Sequence, residues 1–188
     1  MKKVLIGGIG NVLLGDDGVG PYLAALLTAR YEFAEGVEVI DLGTPALDLI
    51  DQISGRDAVI MIDSVEAEAT PGTVLLYRKA EIMRQSPSVR MDTHSTALVD
   101  ALFAASLFAT APAEVLLVGI QAKSYDAGCR LSAPVKASLD QAIAIVLHEL
   151  DRLQVEYRHQ EQPADLGIWW TSDETLETGS SLRLASIR

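Results

Sequence analysis

Four residues in this chain have side chains and positions that could do metal chemistry. Asp16 and Asp17 sit side by side in a glycine-punctuated stretch, Gly8-Ile-Gly-Asn-Val-Leu-Leu-Gly-Asp-Asp-Gly-Val-Gly20. Asp63 closes an otherwise apolar run, Asp57-Ala-Val-Ile-Met-Ile-Asp63. His94 opens a helical run and is one of only 3 histidines; His148 lies inside a later helix and His159 near the C-terminus. Each alone has an ordinary role: a loop aspartate shapes a turn or caps a helix, as expected for Asp16, and a first-turn histidine is usually solvated. Together, two carboxylates and one imidazole on one edge of a sheet resemble a three-ligand metal site with open positions. At this level of reading the first carboxylate is Asp17 or Asp16.

The elements must bring those residues together. Lys3 to Ile9 reads as a buried parallel strand, an apolar run bounded by glycines. Pro21 suits the first turn of a helix, so a helix is predicted from Pro21 to about Phe33. A second strand follows at Gly36–Gly43, a second helix at about Pro45 to Ile53, and a central third strand at Asp57–Asp63. The fourth strand, Gly72–Arg78, comes too soon for a parallel crossover and is expected to be antiparallel. Lys79 to Asp92 reads as a surface loop. A third helix runs from His94 through Ala105, capped by Asp92 or Thr93. A fifth strand spans Ala113–Ile120, and the last helix runs to about Val155 with Ser132 as its cap. Alternation of this kind predicts an α/β three-layer sandwich: a mostly parallel five-stranded sheet with one antiparallel strand and helices on both faces. In such sheets ligands bind at the C-terminal ends of the strands, where Asp17 or Asp16, Asp63 and His94 could meet. Residues 1–155 are expected to form the domain and 156–188 a polar tail, with Ile168-Trp169-Trp170 an apolar island packing locally.

Composition narrows the chemistry. The chain has 188 residues, a formal charge of -11 and a single cysteine, Cys129, with a pI near 4.6. So acidic a surface disfavours nucleic acid and anionic membranes as partners. One cysteine excludes a disulfide framework and a Cys-based zinc site, fits a reducing cytoplasm, and is expected to be structural rather than a nucleophile. The first apolar run is too short for a signal peptide, and no stretch approaches a membrane span. A dinucleotide-binding loop is the rival for the glycine stretch. It would need G-x-G-x-x-G, but after Gly8 and Gly10 the third position is Leu13. Two carboxylates would also face a pyrophosphate. Asp41 after the second strand is its one remaining support.

The glycine stretch resembles the opening motif of the hydrogenase maturation proteases, endopeptidases that trim the C-terminus of nickel–iron hydrogenase large subunits. Asp41-Leu-Gly43-Thr44 resembles that family's second-strand Asp-Gly-Gly-Thr segment, Val59–Asp63 its third-strand aspartate motif, and Asp92-Thr-His94 its histidine segment. The resemblance spans about residues 1 to 155, with Leu42 in place of a usual glycine and Asp17 shorter than the glutamate many members carry. It implies that Asp17, Asp63 and His94 bind nickel, that Gly43, Thr44 and Asp41 recognise substrate, and that the nickel arrives with the precursor, with no organic cofactor. The implied partner is a nickel–iron hydrogenase large-subunit precursor, met in the cytoplasm by a monomeric protease. Two rivals are a hydrolase with its own bound metal acting on a small substrate, and a metal-binding maturation chaperone without catalysis. Metal analysis of the purified protein separates the first, and a peptide-release assay the second.

Overall fold

The computed structural model describes residues 1–84, 89–90, 93–168 and 170; for 89–90 and 93–96 it describes the backbone alone. The strands β1 (Val4–Ile9), β3 (Val37–Gly43), β4 (Ala58–Ala67) and β7 (Glu114–Gln121) run parallel, and β5 (Val74–Arg78) closes one edge antiparallel to β7. The order across the sheet is β3-β1-β4-β7-β5. This is the expected mostly parallel five-stranded sheet, and its short fourth connection does produce the antiparallel strand. One two-residue addition extends it: β6 (Val89–Arg90) pairs antiparallel with the projecting end of β4, Glu66 opposite Arg90.

Side chains alternate across the sheet and divide the core in two. Ile6, Ile60, Ile62 and Val118 face α1 (Val19–Arg30) and α5 (Ala133–Arg152), meeting Leu23, Leu27 and Val146. Leu5, Val59, Met61 and Leu117 face the other way, toward Ile53 of α2 (Leu49–Ile53) and Leu98 and Leu102 of α4 (Thr93–Leu107). Strands buried on both faces are nearly continuous apolar runs, which is why β1, β4 and β7 are legible in the sequence. No helix among the described residues is long and apolar enough to cross a membrane.

Several boundaries differ from the sequence reading. The first helix stops at Arg30, and Tyr31–Phe33 forms β2 instead of continuing it. Its partner is β8 (Tyr157–His159), with Tyr31 opposite His159 and Phe33 opposite Tyr157. The chain after Val155 therefore does not leave the fold at once. The Gln160 and Ala164 amides donate to the Arg30 and Ala29 carbonyls at 2.8 and 3.0 Å, and Leu166 packs against the α1/α5 core. Trp169 and residues 171–188 lie outside the described residues. The second helix is shorter than expected, because Ala46–Asp48 forms a turn in which the Ala46 amide donates to Asp48 Oδ1 at 2.8 Å. The loop expected at 79–92 carries α3 (Lys79–Arg84), whose Ile82 is buried. Asp92, one of two caps expected for α4, lies outside the described residues.

At the N-terminal edge of the sheet a buried ion network ties α5 to the strands. Glu149, 2% exposed, accepts two hydrogen bonds from Arg78 at 2.6 and 2.8 Å. Arg152 adds two more and reaches Glu114.

Candidate active site

The opposite edge holds the candidate site, at the place where the strand order turns. From β1 the chain passes through α1 to β3 on one side; from β3 it crosses through α2 to β4 on β1's other side. A crevice opens above such a switch point. β4 runs on past the last residue that it pairs with β1, Ile62, so Asp63 and Ser64 project beyond the end of β1. The loop after β1 folds into that gap as a 3₁₀ turn, Gly15–Gly18, leading into α1.

Glycine is required where this turn meets the sheet. A Cβ on Gly20 would lie 2.2 Å from the Ile9 carbonyl oxygen and 2.5 Å from that of Ile62. A Cβ on Gly10, whose φ is +139°, would lie 1.8 Å from the Asp17 carbonyl oxygen. Bare backbone lets the N-terminus of α1 sit directly on the strand ends. That close approach brings Asp17 into reach of β4.

The paired aspartates then point to different places. Asp16, 1% exposed, accepts at Oδ1 from the Ser132 amide (2.6 Å) and at Oδ2 from the Lys123 amide (2.8 Å), the Ser124 amide (3.3 Å) and the Ser132 hydroxyl (2.8 Å). Its carboxylate clamps the loop between β7 and α5, and backbone bonds from Gly15 to Gly128 and from Asp16 to Ser124 reinforce the clamp. Ser132 sits at the cap position of α5, but its hydroxyl serves Asp16 rather than the helix. Asp17, 3% exposed, turns toward β4 instead. Its Oδ1 accepts from Ser64 Oγ at 2.8 Å and its Oδ2 from the Asn11 amide at 2.8 Å. Of the two adjacent carboxylates, Asp17 is the one held beside the strand that carries Asp63.

Asp63 is 1% exposed. It shares the parity of Val59 and Met61, so it belongs to the sheet face covered by α2 and α4, while Ser64 belongs to the face of α1. α4 begins at Thr93, which puts His94 in its first turn on that same side of the sheet. The His94 side chain is outside the described residues. Among the described residues, which leave out the His94 side chain, no group of three potential metal ligands gathers.

The segment matched to substrate recognition forms an exposed turn at the neighbouring strand end. Asp41 Oδ1 accepts the Gly43 amide at 2.9 Å, Gly43 adopts φ +57°, and Thr44 is exposed. The Gly43 carbonyl takes the Gly10 amide at 2.7 Å, so this turn is tied to the aspartate loop. Leu42, the departure from the usual glycine, packs against the core of the α2/α4 face, where Gly7 leaves it room: a Cβ there would lie 2.5 Å from Leu42 Cδ1. Sequence reasoning missed Ser64 and Ser132, the hydroxyls that orient the two aspartates. The only signal for Ser64 is its place directly after Asp63; Ser132 is legible only as the cap of α5, not as a partner of Asp16.

Comparison with known proteins gives a consistent result. The family model described as HycI, hydrogenase maturation protease, matches residues 21–149. The chain is 39% identical over 146 residues to the hydrogenase expression/formation protein HupM of Azotobacter chroococcum, covering 77% of this chain and 70% of that one. It is 29% identical over 155 residues to the hydrogenase 2 maturation protease of Escherichia coli, covering 82% and 94%. Among solved structures, the hydrogenase maturating endopeptidase HybD from Escherichia coli superposes with a TM-score of 0.79 at 28% identity, over 84% of this chain and 98% of that one.

Proposed function

The chain belongs to the hydrogenase maturation protease family and is an endopeptidase, and on that premise we propose that it removes the C-terminal extension of a nickel–iron hydrogenase large-subunit precursor once nickel is in place. The nickel is the precursor's own cargo. Asp17 and Asp63 would offer it carboxylate oxygens and His94 an imidazole nitrogen, a set that suits a divalent first-row metal. Gly43, Thr44 and Asp41 would meet the precursor chain beside it. The reaction adds water across one peptide bond, leaving a new carboxylate on the large subunit and a free amine on the released peptide. The work would take place in the cytoplasm, a reducing compartment that fits a chain with a single cysteine.

One observation carries this reading: Asp17 and Asp63 are both almost fully buried beside the same strand end, in a chain that is already strongly acidic. A buried carboxylate is costly unless donors or a cation satisfy it, and two at one strand end favour a cation there. A nickel-loaded precursor supplies the cation and a metal-free one does not, so the site discriminates between them by charge. Asp63→Asn keeps the side-chain shape and removes one charge. The test is the rate of C-terminal peptide release from nickel-loaded and metal-free precursor, by the native enzyme and by Asp63→Asn. The native enzyme should process only the loaded form, and the variant should fold but lose most processing. Equal processing of both precursors by the native enzyme would refute the reading. Tightly held metal in the purified protease would also count against it, pointing to a resident metal centre.

A further inference from the structure

Ser64 is the least conspicuous residue at the site, and its geometry is the most specific. It is 0% exposed, and its Oγ donates to Asp17 Oδ1 at 2.8 Å across 47 residues of sequence. Asp17 is 3% exposed, and a buried carboxylate is costly unless donors satisfy it. The Asn11 amide, six residues away within the same loop, holds Oδ2. The second donor, coming from another element, fixes the plane.

β4 therefore serves both carboxylates through strand alternation. Asp63 projects on the α4 face, and the next residue supports Asp17 from the α1 face. We propose that Ser64 is a positioning residue: its hydroxyl sets the direction of the Asp17 carboxylate toward the metal of the incoming precursor. This rests on the reading that Asp17 binds substrate nickel. Losing one hydrogen bond to a charged group weakens an interaction about tenfold or more, so Ser64→Ala should weaken recognition on that scale.

The experiment measures the dissociation constant of nickel-loaded precursor for full-length native protein, Ser64→Ala, Ser64→Thr, Asp17→Asn and the Ser64→Ala/Asp17→Asn double variant, with melting temperatures alongside. Ser64→Ala should bind about tenfold more weakly, Ser64→Thr should recover most of that loss by restoring a hydroxyl, and Ser64→Ala should add little on top of Asp17→Asn, because residues acting through one contact are not additive. Peptide release should show the loss in KM more than in kcat. Full additivity in the double variant, or native-like binding by Ser64→Ala while Asp17→Asn is defective, would overturn the role of Ser64 and leave the metal reading standing. Native-like binding by Asp17→Asn would instead remove the metal reading beneath it.

Discussion

Asp16→Asn separates the two adjacent aspartates more sharply than any other change. The substitution is nearly isosteric but replaces one carboxylate oxygen by an NH2 group. Both oxygens of Asp16 face donors only: the Ser132 amide on one, and the Lys123 and Ser124 amides with the Ser132 hydroxyl on the other. In the better of its two orientations the new amide opposes the Ser132 N–H, leaving buried donors facing each other at a cost of about 1–3 kcal/mol. The other three bonds lose their charge assistance, roughly half their strength. Relief from burying a charge offsets part of this, leaving a net destabilisation of about 2–4 kcal/mol. For a chain of 188 residues, about 2–4 °C per kcal/mol translates this to a fall of roughly 5–15 °C in melting temperature. Hydrogen exchange at the Lys123, Ser124 and Ser132 amides should accelerate, while the folded fraction still processes precursor. The assay is thermal unfolding of native protein and variant in parallel with peptide release. A melting temperature within about 2 °C of native would refute the anchoring argument. Lost processing at native stability would show that Asp16, rather than Asp17, faces the substrate.

Two further outcomes follow from the fold. Burial alone would raise the Glu149 carboxyl, but hydrogen bonds and charge from Arg152 and Arg78 outweigh it and hold the group down at about 2, from 4.5. A depressed carboxylate contributes stability above its unfolded value and loses it as pH falls through the folded one. Native protein should therefore lose stability between about pH 4.5 and 2 more steeply than Glu149→Gln, as read by denaturant midpoints across that range; parallel curves would show the network to be unimportant. Truncation after Glu156 removes β8 and uncovers Tyr31 and Phe33, so the melting temperature should drop by several degrees; an unchanged value would mean that the β2–β8 pair is ornamental.

The sequence by itself determined the layers, the five strands of the main sheet and the edge that carries the candidate site. Those follow from local signals: continuous apolar runs for β1, β4 and β7, glycines where backbone must touch backbone, and too short a connection before β5 for a parallel crossover. The positions of Asp17, Asp63 and His94 at element ends are likewise matters of chain order. Tertiary structure alone decided how the adjacent aspartates divide. Spacing cannot say which of two neighbours in a turn faces which way; that depended on Ser132 and Lys123, far along the chain, claiming Asp16, and on Ser64 claiming Asp17. Tyr31–Phe33 continues a helical pattern until Tyr157–His159 arrives to pair with it. In each case the deciding partner is remote in sequence, and its energy enters only when the chain has folded.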